Sequence, residues 1–149
     1  MFDRSIPIHL VMTDRVIMVT PDTVMTEVAR LFRVNHVHHI PVVEAGRVVG
    51  MISTADLHRL EHHFTLFRTA QADEVNEAIL GSLLAREVMS PQVVTVRGVD
   101  SIQYAADIFK ENLFRALPVV DEERRIIGML TPYDLMVYAY NPDPREIGI

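Results

Sequence analysis

The chain of 149 residues carries the same segment twice, and this internal duplication constrains its fold more than any other feature. The two copies are offset by 77 residues, and by 78 after one residue is inserted near Glu123. The clearest matches are Val11-Met12-Thr13 with Val88-Met89-Ser90, Pro41-Val42-Val43 with Pro118-Val119-Val120, and Asp56-Leu57 with Asp134-Leu135. Because the agreement extends over about fifty positions, we interpret the chain as a tandem duplication.

The apolar pattern predicts a strand and then a helix at the start of each copy. In the first copy, the run Val16–Val19 predicts a short strand, and Pro21-Asp22 predicts a turn after it. Apolar residues at helical spacing follow, and they predict a helix of about three turns. These residues are Val24, Val28, Leu31 and Phe32, with Ile102, Ala105, Ala106, Ile108 and Phe109 as their counterparts.

A hairpin and a second helix complete each copy. Ile40–Val43 predicts a strand that has Pro41 near its start, where a missing N–H is tolerated. Glu44–Arg47 predicts the turn and Val48–Ile52 the return strand. A second helix is expected to begin at Ser53. The predicted fold class is therefore α+β, with two βαββα repeats.

These patterns divide the chain into a first repeat, a helical linker, a second repeat and a C-terminal tail. The predicted boundaries are 1–66, 67–86, 87–141 and 142–149. The linker has no internal match, and its apolar stripe predicts a helix from Asp73 to Leu84. One copy has three short strands, too few to cover both faces of its sheet. We therefore expect the two copies to pack together about a pseudo-two-fold axis.

Composition and charge exclude several classes of function. Fourteen Lys and Arg stand against 20 Asp and Glu, so the net charge is −6, whereas nucleic-acid binding needs clustered basic residues. The absence of cysteine excludes disulfides, thiolate metal sites and a cysteine nucleophile. No stretch reaches the roughly 18 apolar residues of a membrane span, and the N-terminus lacks a signal peptide's apolar region. We expect a cytoplasmic protein that binds neither nucleic acid nor membrane.

No enzyme motif is present in the sequence. The nucleophile elbow Gly-x-Ser-x-Gly, the phosphate-binding P-loop and the metalloprotease motif His-Glu-x-x-His are all missing. We therefore expect a protein that is not an enzyme and that requires no cofactor.

A Ser/Thr-x-x-Asp motif stands at the predicted strand-to-helix junction of each copy. Its members are Ser53 and Asp56 in the first copy, and Thr131 and Asp134 in the second. One interpretation is structural, because the hydroxyl caps the helix and the acid complements the helix dipole. The other is functional, because a helix N-terminus attracts phosphate and a carboxylate can accept hydrogen bonds from the hydroxyls of a ribose. The two interpretations are compatible.

The doubled order of Pro-Val-Val, a turn, Gly-Met and the Ser/Thr-x-x-Asp motif resembles the cystathionine-β-synthase (CBS) domain. A tandem pair of this kind resembles the Bateman module. The resemblance covers both copies and leaves out the linker and the tail. It implies a regulatory module that binds an adenosine-type nucleotide, such as AMP, ADP, ATP or S-adenosylmethionine, in the cleft between the repeats. It also implies a homodimer of CBS pairs whose signal would reach an unknown effector protein.

The resemblance also implies roles for individual polar residues. Asp56 and Asp134 would hold the ribose, and Ser53 and Thr131 would lie near phosphate. In nucleotide-binding CBS pairs, His or Arg residues before the Pro-Val-Val strand often reach phosphates. The residues at these positions are His38 and His39 in the first copy, and Arg115 and Ala116 in the second, where Ala116 departs from the pattern.

Apolar residues complete the site that the resemblance implies. Ile40 and Leu117, beside Pro41 and Pro118, would form a wall for the purine. Thr23 lies where the first loop of the family approaches the ligand.

Two other functions remain open from the sequence. The chain could be a constitutive dimerisation or interaction scaffold without a ligand, which Ala116 and the acidic charge favour. It could also bind a metal through its histidines, because His58 and His62 are four residues apart on a predicted helix. No third ligand is fixed by spacing.

Overall fold

The computed structural model describes residues 3–63 and 72–141, and the chain folds as two compact units. Ile17–Val93 forms one unit, here named the first-copy unit. Met1–Val16 and Val94–Ile149 form the other, here named the second-copy unit. The mixture of helices and strands confirms the predicted α+β class. No described helix has the length and apolar character that a membrane crossing requires.

The first-copy unit is built around an antiparallel hairpin. Its repeat elements are α1 (Met25–Asn35), β1 (His39–Glu44), β2 (Arg47–Ser53) and α2 (Thr54–His63). The hairpin pairs His39 with Ser53 at its open end and closes at Ala45 and Gly46. Both turn residues have positive φ, as in the type I′ loops that are common in two-residue hairpins. The predicted hairpin and its flanking helices are confirmed.

The predicted strand over Val16–Val19 is reduced in the structure to a single parallel bridge between Val19 and Val42. Two backbone hydrogen bonds of 2.8 and 3.1 Å form this bridge. The pairing ends there because the Thr20 N–H donates to the Thr23 hydroxyl at 3.0 Å, which turns the chain towards α1.

The second-copy unit has the same order of elements with a three-stranded sheet. Its elements are β3 (Val96–Arg97), α5 (Ile102–Lys110), β4 (Leu117–Val120), β5 (Ile126–Leu130) and α6 (Pro132–Tyr140). The strand order is β3-β4-β5, with β3 parallel and β5 antiparallel to the central strand. All four residues of β4 are buried, so this strand lies inside the unit.

The leading segment of the first copy packs in the second-copy unit. Thr13 pairs with Met129 of β5 through two backbone hydrogen bonds of 2.8 and 2.9 Å. Ile8, in a 3-10 turn that spans Ile8–Leu10, is fully buried and belongs to the core of this unit. The second-copy sheet is therefore extended by residues from the start of the first copy.

The leading segment of the second copy makes the reciprocal contact in the first-copy unit. Ser90 pairs with Met51 of β2 through two backbone hydrogen bonds of 2.9 and 3.0 Å. Ala85, the counterpart of Ile8, is fully buried in the first-copy core. The two leading segments, which we define as residues 6–13 and 83–90, are thus exchanged between the units.

One helix of the linker and a short helix that crosses the predicted end of the linker at residue 86 belong to the first-copy unit. α3 (Ala72–Ser82) packs on α1, and α4 (Ala85–Val88) follows it. α3 ends before the Leu84 predicted from the apolar stripe, because Leu84 has extended backbone angles. Residues 67–71 of the predicted linker and the predicted tail, 142–149, lie outside the described residues.

Each leading segment rests on a glycine of the strand that it pairs with. A Cβ atom at Gly128 would lie 2.3 Å from the Met12 sulfur and 2.9 Å from the carbonyl oxygen of Thr13. A Cβ atom at Gly50 would lie 2.3 Å from the Met89 sulfur. Glycine is required at both positions because the methionine crosses directly over the strand.

Gly128→Ala is expected to lower the free energy of unfolding by about 1–3 kcal/mol, because the new methyl group meets backbone as well as a side chain. Urea denaturation measures the change. Gly81→Ala is the control, since a Cβ at this position would meet, among the described residues, only a Thr26 methyl group at 3.9 Å. That variant should be neutral or more stable by up to about 1 kcal/mol. Equal stabilities of the two variants would contradict the close approach.

Candidate functional site

In the first copy, Ser53 and Asp56 form a reciprocal cap at the start of α2. The Ser53 N–H donates to Asp56 Oδ2 at 2.8 Å, and the Asp56 N–H donates to the Ser53 hydroxyl at 3.2 Å. Two amides of the helix start are satisfied in this way. The structural interpretation of this motif is therefore confirmed.

In the second copy, Thr131 and Asp134 form the same cap at the start of α6. The Thr131 N–H donates to Asp134 Oδ2 at 2.8 Å, and the Asp134 N–H donates to the Thr131 hydroxyl at 3.4 Å. The hydroxyl of Thr131 also donates to Asp134 Oδ2 at 3.1 Å. Pro132 occupies the first helical position, where its missing N–H costs nothing.

In each cap, the Oδ1 oxygen of the aspartate lies outside the reciprocal pair of hydrogen bonds, and its partner differs between the two copies. Oδ1 of Asp56 contacts the guanidinium group of Arg59, one turn further along α2. Oδ1 of Asp134 accepts a hydrogen bond from the Thr13 hydroxyl at 3.4 Å. In the described chain, no Lys or Arg lies within ion-pair distance of Asp134.

The carboxyl group of Asp134 is partly withdrawn from water. Burial raises the pKa of Asp134 above its usual value, and the hydrogen bonds from Thr131 and Thr13 counteract part of this rise. The group is thus an acceptor with little solvation and no cationic partner among the described residues.

The residues at the start of β1 reach the cap in the first copy. His39 lies opposite Ser53 in the hairpin, and the carbonyl oxygen of His38 accepts a hydrogen bond from the Thr54 N–H at 3.0 Å. In the second copy, Pro132 stands where the first copy has Thr54, and it has no N–H to donate to Arg115. His38 and Arg115 both have exposed side chains.

These paired hairpins and capped helices agree with a comparison of the sequence with known families. The signature of the CBS domain matches residues 8–63 and 85–141. The chain belongs to the CBS domain family. The resemblance drawn from the duplicated motifs is therefore confirmed.

Two relatives illustrate how much of other CBS proteins this chain resembles. Protein MJ1225 of Methanocaldococcus jannaschii is 35% identical over 126 residues, which cover 85% of this chain and 44% of that protein. The CBS domain-containing protein YhcV of Bacillus subtilis is 31% identical over 126 residues, which cover 85% of this chain and 80% of YhcV. The chain thus spans less than half of MJ1225 and most of YhcV.

Solved structures of CBS-pair proteins have the same fold. CBSX2 of Arabidopsis thaliana, at 26% identity, superposes with a TM-score of 0.77 over 91% of this chain and 95% of CBSX2. CBSX2 has also been solved in complex with AMP, and that structure matches with a TM-score of 0.74 over 91% of this chain and 97% of CBSX2.

The apolar residues assigned to a purine wall are core residues in this CBS pair. Ile40 and Leu117 are fully buried among the core side chains of their own units. Pro41 and Pro118 are also fully buried. The cause is that the central strand of each copy is covered on both faces. None of these side chains presents apolar surface to a ligand in this conformation.

Thr23 lies apart from the other candidate residues. Its hydroxyl accepts the Thr20 N–H in the turn before α1. It lines a pocket of about 480 Å³ together with Val43, Ala45 and Gly46, which belong to the closed end of the hairpin. The cap of α2 is at the open end, so the structure does not bring Thr23 together with Ser53 and Asp56.

Two contacts of the caps were not expected from the sequence. The sequence indicates a solvent-exposed charge at Arg59. An Arg three residues after an Asp on a helix also indicates an ion pair, and the structure contains that pair. Thr13 gives no such signal, because it is 121 residues from Asp134 in the sequence.

The side chains that the structure describes form no metal site with the histidines. Among them, no group of three or more His, Asp or Glu could hold a metal ion. Nδ1 of His58 lies 3.7 Å from Oε2 of Glu61, three residues further along α2. The side chain of His62, the second predicted ligand, lies outside the described residues.

The raised pKa of Asp134 predicts a specific pH dependence of stability. Just above the usual aspartate pKa of about 3.9, the unfolded chain releases a proton that folded Asp134 keeps, so this group lowers stability as pH rises. The Tm of Asp134→Asn, relative to the parent, should therefore rise with pH through this window.

Asp107→Asn is the matched control for this measurement. Hydrogen bonds from Lys110 and Gln103 lower the pKa of Asp107, so its contribution has the opposite sign. The Tm of Asp107→Asn, relative to the parent, should fall as pH rises towards 3.9. Parallel profiles for the two variants would contradict the burial of Asp134.

Proposed function

We propose that this CBS pair is a regulatory module that senses an adenosine-type nucleotide, with AMP, ADP, ATP and S-adenosylmethionine as candidate ligands. The observation that carries the proposal is the duplicated cap, in which Asp56 and Asp134 each use one oxygen for the helix and keep the other outside the reciprocal cap. A ribose suits such an oxygen, because its two neighbouring hydroxyls are hydrogen-bond donors.

A phosphate would find donors beside each ribose carboxylate. In the described chain, the N–H groups of Ala55 and Tyr133, at the second positions of α2 and α6, donate to no protein acceptor. The N-terminus of a helix also favours a negative charge. His38 lies just before the hairpin beside α2, His39 is the first residue of its first strand, and Arg115 holds the place of His38 in the second copy. Thr23 and the buried purine-wall residues have no part in this proposal.

The comparison with CBSX2 supports the class of ligand. CBSX2 binds AMP in its solved complex, and the similarity to this chain extends over 91% of the residues. In this chain, the nucleotide would act by stabilising the conformation for which it has the higher affinity. The response would be limited to that difference in affinity.

Nucleotide binding is expected to raise the Tm of the parent by about 5–10 °C at a ligand concentration near 100 times Kd, which corresponds to about 2.7 kcal/mol. A thermal-shift panel of AMP, ADP, ATP and S-adenosylmethionine measures this response. The double variant Asp56→Ala, Asp134→Ala should lose the shift, because both ribose acceptors are removed.

A control must show that losing a helix cap does not by itself remove the thermal shift with nucleotide. Ser101→Ala is the control, since the Ser101 hydroxyl caps α5 by accepting the Tyr104 N–H at 3.2 Å and has no place in the proposed site. This variant should keep the full ligand shift from a lower starting Tm. A flat panel for the parent at millimolar ligand would favour the scaffold function instead.

We also propose that the protein forms a homodimer through the outer face of α6. Tyr133, Met136 and Tyr140 are 67%, 50% and 82% exposed, and their spacing places them on one face of the helix. Large exposed apolar patches mark association sites in soluble proteins. A second copy of the chain would cover this face.

Met136→Glu is expected to shift the protein from dimer to monomer, because the dimer would bury an unpaired charge. Light scattering coupled to size exclusion should give about twice 16.9 kDa for the parent and 16.9 kDa for the variant. Met18→Glu adds the same charge at an exposed methionine of the first-copy unit and should remain dimeric. A monomeric parent would rule out the dimer.

A further inference from the structure

In both caps, Oδ2 of the aspartate accepts the N–H of the capping residue, whereas Oδ1 has a different partner in each copy. Asp56 Oδ1 contacts Arg59, whereas the position on α6 that matches Arg59 is Val137, which has no donor. We propose that Arg59 competes with the ligand for the Asp56 carboxylate, so that the first copy holds the weaker of the two ribose sites. This inference rests on the proposed nucleotide function and assigns a regulatory residue to it.

Arg59 and a ribose would compete because both use the Asp56 oxygen that lies outside the cap. Asp56 Oδ2 accepts the Ser53 N–H at 2.8 Å within the cap, so Oδ1 is the oxygen outside the cap that a ribose would use. The Arg59 guanidinium already occupies Oδ1, and the ligand must displace it or share the oxygen. Among the residues that the structure describes, Asp134 Oδ1 accepts one hydrogen bond, from the Thr13 hydroxyl at 3.4 Å, and a ribose hydroxyl can replace this long bond.

The size of the effect follows from the exposure of the pair. The Arg59 side chain is 75% exposed and that of Asp56 is 20% exposed, so solvent weakens their attraction. An exposed ion pair of this kind corresponds to a change of about two- to fivefold in an equilibrium constant. Arg59 would therefore lower the affinity of the first site in a graded manner without closing it.

The test measures the first site alone, with adenosine as the probe. Adenosine has the ribose hydroxyls and no phosphate, so Arg59 cannot gain a contact with the ligand's charge. In an Asp134→Asn background, calorimetry should show about two- to fivefold tighter adenosine binding after Arg59→Gln. A rising salt concentration should lower the Kd for adenosine of the protein that keeps Arg59, because salt screens the ion pair. The Kd of the Arg59→Gln protein should stay unchanged.

The reciprocal change installs the competitor in the second copy. In an Asp56→Asn background, Val137→Arg should weaken adenosine binding by about two- to fivefold. Val137→Gln adds a long side chain without the charge and should bind like its background. Weakening by both substitutions to the same extent would assign the effect to bulk and overturn the competition.

The outcomes separate this inference from the proposed function. Equal or weaker adenosine binding after Arg59→Gln, in a background that binds adenosine, overturns the competition and leaves the nucleotide function in place. If the parent binds neither adenosine nor AMP, the proposed function fails and this inference fails with it.

Discussion

Each unit of this protein depends on backbone pairing with a segment from outside its own copy. Thr13 extends the sheet of the second-copy unit at Met129, and Ser90 extends that of the first-copy unit at Met51. The glycines under the crossing methionines, the buried residues of both leading segments and the Thr13 contact to Asp134 all follow from this exchange. The duplication is therefore a structural requirement, because each copy supplies what the other lacks.

The elements with local causes could be predicted from the sequence. The hairpin turn at Ala45 and Gly46, the helix caps at Ser53 and Thr131, and the start of α6 at Pro132 each depend on residues within a few positions. The exchange of leading segments could not, because it pairs residues that are distant in the sequence, such as Thr13 with Met129. The reduction of the first strand to one bridge also depends on competition from the turn beside it.

The candidate site shows the same division between local and tertiary causes. The motif predicted both caps, and the structure places them at equivalent helix ends. The burial of Ile40 and Leu117 could not be inferred, because an apolar strand residue has the same sequence pattern whether it lines a pocket or fills a core. The partners of the two Oδ1 oxygens differ because Arg59 is local to its copy, while Thr13 reaches Asp134 through the exchanged segment.

The exchanged segments bear on how such a chain could have arisen. A single copy in isolation would carry a leading segment that its own unit does not use, and an edge strand that lacks its partner. It could satisfy both needs only by pairing with a second identical molecule, each lending its segment to the other. Fusion of two copies into one chain turns this encounter between molecules into an intramolecular step with a high effective concentration. The fused chain then frees each copy to diverge, as Arg59 and Val137 have done.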